Sequence, residues 1–72
     1  MTDAGLRWLQ PDGTPIACRE KLRTLTENHA EAAQVLQDAF EDAVLMGVDE
    51  QTMRAMLAGL VDGLRSPKAP GR

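Results

Sequence analysis

The sequence predicts an all-α protein, a helical hairpin with one long helix at about 17–46 and one shorter helix at about 50–65. Apolar or near-apolar residues recur every three or four positions through the long segment, and no Gly or Pro interrupts it. Their run is Cys18, Leu22, Leu25, His29, Ala32, Leu36, Ala39, Ala43 and Met46. A turn signal, Gly47-Val48-Asp49, then separates this seam from a second apolar pattern.

Length and composition limit the architecture to one small domain over residues 1–72, with residues 1–5 and 67–72 predicted to be disordered tails. A chain this short cannot bury a large core. The single cysteine, Cys18, excludes a disulfide within the chain and suits a reducing compartment. No apolar run reaches the roughly 20 residues of a membrane span, and no signal peptide pattern opens the chain. We therefore predict a cytoplasmic protein that does not bind membranes.

The segment before the long helix centres on Pro11-Asp12-Gly13, a turn in which Pro presets φ, Asp bonds nearby backbone and Gly accepts positive φ. This turn could close a short β-hairpin, which would dock on the long helix through Trp8, Leu9 and Ile16. The alternative is an extended arm in which Thr14 caps a helix that begins at Pro15.

The hairpin turn has a signal for each helix end. Gly47 suits a left-handed C-terminal cap, and Asp49 suits the N-cap of the second helix. That helix presents one predicted apolar face, made of Met53, Leu57, Leu60, Val61 and Leu64. Beside it lies a small face with Gly59 and Gly63, and Met56 lies between the two.

Helix lengths predict that part of the seam needs another cover. The long helix spans about 44 Å and the short one about 24 Å, so the short helix reaches back only to about Ala32. Cys18, Leu22, Leu25 and His29 are left for the Trp8 arm, a second copy or another protein. Among these, self-association into a homodimeric four-helix bundle is favoured.

Charge is distributed unevenly along the chain. Residues 31–50 contain six acids and no base, among them Asp38, Glu41 and Asp42 in the long helix. Such a band disfavours nucleic acid and suits a protein partner with a basic surface, although a solvated helix face is the simpler interpretation.

Two residues could support a sensor function, which is one alternative hypothesis. Cys18 precedes Arg19 and Lys21 near the start of the long helix, where a thiolate is stabilised. His29 is the single histidine, but Glu27 and Glu31 project from a different side of the helix. A small seam residue at 18 and a register-setting polar residue at 29 are the favoured interpretations, with no metal and no cofactor.

A second alternative is DNA binding. Ala43 to Met53, with Gly47 in the turn, looks like the centre of a helix-turn-helix. The would-be recognition helix opens with Asp49 and Glu50, however, and two acids there oppose phosphate binding. We therefore expect no nucleic acid partner.

Catalysis is not expected, because no Ser or Thr has a placed His and no glycine-rich phosphate loop is present. The favoured hypothesis is a non-enzymatic protein–protein interaction module, a regulatory or assembly subunit. Its candidate interaction residues are Trp8, Cys18, Leu22, Leu25, His29, Asp38, Glu41, Asp42, Met56, Gly59 and Gly63.

Overall fold

A computed structural model of the chain describes residues 6–68, which form two helices, α1 (Arg19–Leu45) and α2 (Glu50–Asp62). No strand is present within residues 6–68, so the predicted all-α class and helical hairpin are confirmed. The disordered tails were predicted at 1–5 and 67–72, and of these residues only 67 and 68 lie within the described range. The chain divides into two compact units, Met1–Gln34 and Val35–Arg72, and α1 belongs to both.

In the first unit, a tight loop precedes α1. The amide of Gly13, at φ +91°, donates to the Gln10 carbonyl at 2.8 Å, which closes the predicted turn. Asp12 Oδ1 accepts from the Thr14 amide at 2.9 Å and from its hydroxyl at 2.7 Å. These bonds to Thr14, first the hydroxyl and then the amide, lower the pKa of the Asp12 carboxyl.

The two sides of the loop pair over only a short stretch of backbone. Leu9 and Pro15 form an isolated antiparallel bridge, and the Ile16 amide donates to the Trp8 carbonyl at 2.8 Å. One bridge does not make two strands, so the predicted β-hairpin is not confirmed. The alternative with Thr14 capping a helix from Pro15 is wrong, because Thr14 bonds Asp12 and α1 begins only at Arg19.

The turn between the helices follows the predicted chemistry. Gly47 has φ +106°, the left-handed region that an L side chain rarely adopts. The Val48 amide donates to Ala43 O at 2.9 Å and the Gly47 amide to Val44 O at 3.0 Å. This pair of bonds is a Schellman motif, which satisfies two of the last carbonyls of α1.

Asp49 is the N-cap of α2, as predicted. Its backbone is extended, and its Oδ2 accepts from the Thr52 amide at 2.8 Å and the Thr52 hydroxyl at 3.0 Å. The same bonds, the backbone one first, lower the pKa of this carboxyl. The helix ends at Asp62, three residues earlier than predicted, because Gly63 caps it through an amide bond to Gly59 O.

No residue within 6–68 is fully buried. The half-buried residues of the first unit are Leu6, Trp8, Ile16, Leu22, Leu25 and Thr26, and those of the second unit are Ala39, Phe40, Ala43, Val44, Met53 and Leu57. Cys18, His29, Ala32 and Met46 of the predicted seam are exposed. Only part of the seam is therefore covered, because each stretch of α1 has a single packing neighbour within its own unit.

Candidate interaction surfaces

The arm before α1 covers the N-terminal part of the seam. The Trp8 ring meets the His29 ring edge to face, with centroids 5.9 Å apart and an interplanar angle of 72°. Trp8, Leu22 and Leu25 are all half-buried. The sequence left three possible covers for this part of the seam, namely the arm, a second copy or another protein. The structure places the arm over it, although His29 itself remains exposed.

Cys18 is not packed in the seam but exposed just before the first residue of α1. Its carbonyl accepts the Leu22 amide at 2.9 Å, so it has the N-cap position. The backbone amide of Lys21 is the main cause of a lowered thiol pKa, and the Glu20 amide and the Lys21 charge add to it. Burial acts in the opposite direction but does not outweigh these bonds.

We expect the folded chain to react with iodoacetamide at lower pH than the unfolded chain. The folded pKa of Cys18 lies below its ordinary value, so more thiolate is present at neutral pH in the folded state. Cys18 is the only cysteine, so the alkylation rate of the whole protein reports on it. The rate is measured against pH in buffer and in urea. Coincident profiles in the two conditions would contradict the prediction.

The geometry gives little support to the metal-binding part of the sensor hypothesis. Within residues 6–68, no group of three His, Cys, Asp or Glu side chains is placed to hold a metal ion. His29 instead contacts an indole ring. The sensor function remains an untested prediction.

Open depressions lie on both units. One is lined by Ile16, Glu20, Lys21, Thr24 and Leu25. Another is lined by Phe40, Glu41, Val44 and Leu45. Both have apolar floors beside charged rims and belong to the surface of α1 and the arm.

An acidic face runs along the second half of α1. Glu41 and Asp42 lie three and four residues after Asp38, and Leu45 lies four and three residues after them, which places all four on one side of the helix. All four are exposed, and Leu45 keeps 85% of its surface accessible. Gln37 Nε2 donates to Glu41 Oε2 at 2.7 Å, which orients one carboxylate of the set. We call these four residues the acidic face.

An apolar stripe runs along α2 and just past its end. Met56 and Leu60 lie in α2 and are each 62% exposed, and Leu64, two residues after the helix ends, is 76% exposed. The sequence predicted one apolar face for Met53, Leu57, Leu60, Val61 and Leu64, and the structure leaves Leu60 and Leu64 of that set exposed. Met53 and Leu57 on the same side of α2 are half-buried, so the cover of this side stops between Leu57 and Leu60 along the helix. Met56, Leu60 and Leu64 are called the α2 stripe.

Gly59 and Gly63 border the α2 stripe. A Cβ built at Gly59 meets nothing within 4 Å, so packing within the described chain does not require glycine there. A Cβ at Gly63 meets only backbone oxygens of its own helix, Gly59 O at 3.4 Å and Leu60 O at 3.7 Å. Both glycines leave the backbone of α2 open on that side.

The contact between the helices includes a cation–π interaction. The Arg54 guanidinium carbon lies 4.7 Å from the centroid of the Phe40 ring. Phe40 is half-buried beside Ala43 and Val44 of α1. Arg54 therefore contacts the Phe40 ring within the hairpin, and its charge does not serve the acidic face alone.

Comparisons with known proteins add nothing to this geometry, since no family model, curated protein or solved structure matches the chain. Within residues 6–68, no helix is both long enough and apolar enough to cross a bilayer. The helix-turn-helix alternative stays an untested prediction. In the structure, Asp49 caps α2 and Glu50 is its first residue, so two acids stand at the start of the would-be recognition helix.

Proposed function

We propose that this protein is a non-enzymatic interaction module that binds a protein partner with a basic, partly apolar surface. The observation that carries the proposal is the acidic face, where Asp38, Glu41 and Asp42 accompany a leucine, Leu45, that is 85% exposed. No Lys or Arg occurs between residues 31 and 50. Carboxylates beside exposed aliphatic surface complement a helix that carries Lys or Arg next to apolar side chains.

The energetics of the hairpin support a binding role. None of the residues in 6–68 is fully buried, and large apolar side chains remain accessible on both helices of the second unit. A small domain with so little core gains stability when a partner removes such surface from water. The proposal includes a cytoplasmic location and self-association, as the sequence predicted.

The test is binding of a synthetic amphipathic helix of Lys and Leu, followed by fluorescence anisotropy. The double variant Asp38→Asn/Asp42→Asn is compared with Glu20→Gln/Glu27→Gln, which removes the same charge from the first half of α1. We expect the first variant to bind about three- to tenfold more weakly, in line with the loss of two exposed charge pairs. The control should bind within twofold of the wild type.

Salt provides a second measure of the same interaction. Binding through the acidic face should weaken as ionic strength rises, because exposed charge pairs are screened. Equal affinity of the two double variants, or no binding of the basic peptide in low salt, would refute the proposed function.

A further inference from the structure

The α2 stripe is a separate surface from the acidic face, and its chemistry differs. It is apolar along Met56, Leu60 and Leu64, and the small residues Gly59 and Gly63 border it. A basic partner has nothing to pair with on it, since the acids of α2 lie at Glu50 and Asp62, away from these positions on the helix. The surface that binds the α2 stripe should therefore be apolar along its centre and charged only at its ends.

We infer that the α2 stripe binds the α2 stripe of a second copy, with the two helices antiparallel. This inference rests on the proposed interaction function and names one partner for it. A two-fold axis near the middle of α2 sets Met56 of each copy beside Leu60 of the other. Such an arrangement is isologous, because the same patch is used twice and closes on itself.

Charge at the two ends of α2 selects this orientation. Asp49 and Glu50 open the helix with two negative charges. Asp62 ends it and Arg65 and Lys68 follow, which leaves one net positive charge at that end. Antiparallel pairing brings the basic end of each copy next to the acidic start of the other, and parallel pairing would place like charges together. Opposite charges at the rim of an interface fix its register more than its affinity.

The first test is the mass in solution, measured by sedimentation equilibrium over a range of protein concentrations with reductant present. We expect a reversible dimer at twice 7.8 kDa for the wild type. Leu60→Lys should raise the dimer dissociation constant at least about tenfold, because an unpaired charge would enter an apolar interface. Val35→Lys is the matched control, since it places the same charge at an aliphatic residue that is 66% exposed and lies outside both the α2 stripe and the acidic face. It should leave the dissociation constant within twofold.

A charge exchange tests the orientation independently of apolar packing. Arg65→Glu and Glu50→Arg should each weaken the dimer several-fold, and the double variant should restore it. Circular dichroism checks that each variant retains the wild-type helix content. If Leu60→Lys loses helix, the charge exchange still tests whether the two copies pair. Failure of the double variant to restore the dimer would overturn the antiparallel arrangement.

The outcomes separate this inference from the proposed function. A wild-type monomer at every concentration, or equal dimers for Leu60→Lys and the wild type, would overturn the second copy as the occupant. A monomer that still binds the Lys and Leu peptide leaves the proposed function intact. A dimer that ignores the peptide supports the inference and refutes the binding of a basic partner.

Discussion

Phe40→Ala should lower the free energy of unfolding by about 2 to 3 kcal/mol, the largest effect expected from a single truncation in the second unit. Removing a fully buried Phe costs about 3 to 5 kcal/mol, and Phe40 is only half-buried. The lost cation–π contact with Arg54, 4.7 Å from the ring centroid, adds about 0.5 to 1 kcal/mol. Small domains have few kcal/mol to lose, so this change should bring the hairpin close to unfolding.

The measurement is urea unfolding followed by circular dichroism at one fixed protein concentration. Val35→Ala is the matched control in the same helix, because Val35 is 66% exposed and its truncation should cost less than about 0.5 kcal/mol. Phe40→Leu keeps an apolar side chain but removes the ring, so it should fall between the two. Equal losses for Phe40→Ala and Val35→Ala would show that the ring does not hold the hairpin together.

Trp8→Ala should detach the arm from α1 while leaving α1 helical. Trp8 is half-buried and contacts the His29 ring, so its removal should cost about 2 kcal/mol of docking free energy, roughly half the cost for a buried Trp. A loss of this size corresponds to about a thirtyfold increase in the population of the open arm. The effect should be local, because the contact joins the arm to one part of α1.

Hydrogen exchange of the Ile16 amide reports on this docking, since that amide donates to the Trp8 carbonyl at 2.8 Å. We expect its exchange to accelerate about thirtyfold in Trp8→Ala, whereas amides in the middle of α1 keep their protection. Leu9→Ala is the neighbouring control, because Leu9 is 51% exposed and forms its bridge to Pro15 through the backbone. Similar exchange in both variants would mean that the Trp8 ring does not anchor the arm.

The two proposed surfaces differ in how far the sequence could identify them. Asp38, Glu41 and Asp42 were recognisable as an exposed acidic set, because a band with six acids and no base cannot be buried without partners. The exposure of Leu45 was not recognisable, since an aliphatic residue at the end of an amphipathic helix is as compatible with a core as with a surface. The structure adds it to the acidic face.

The sequence by itself determined the two turns and the caps at Gly47 and Asp49. Positive φ at Gly13 and Gly47 and the capping bonds of Asp49 each depend on residues no more than five positions apart. Such short-range chemistry acts in the same way whatever surrounds it. The all-α class followed from the apolar residues that recur every three or four positions along α1, a pattern that the sequence alone contains.

Only the tertiary structure decided which apolar residues are covered. Periodicity places Met53 and Leu60 on one side of α2 but does not say how far along α2 the neighbouring helix covers that side. Coverage depends on groups that are distant in sequence, as when Trp8 reaches His29 or Arg54 reaches Phe40. The α2 stripe remains exposed because, within the described residues, the packing that covers Met53 and Leu57 does not continue along α2 to Leu60.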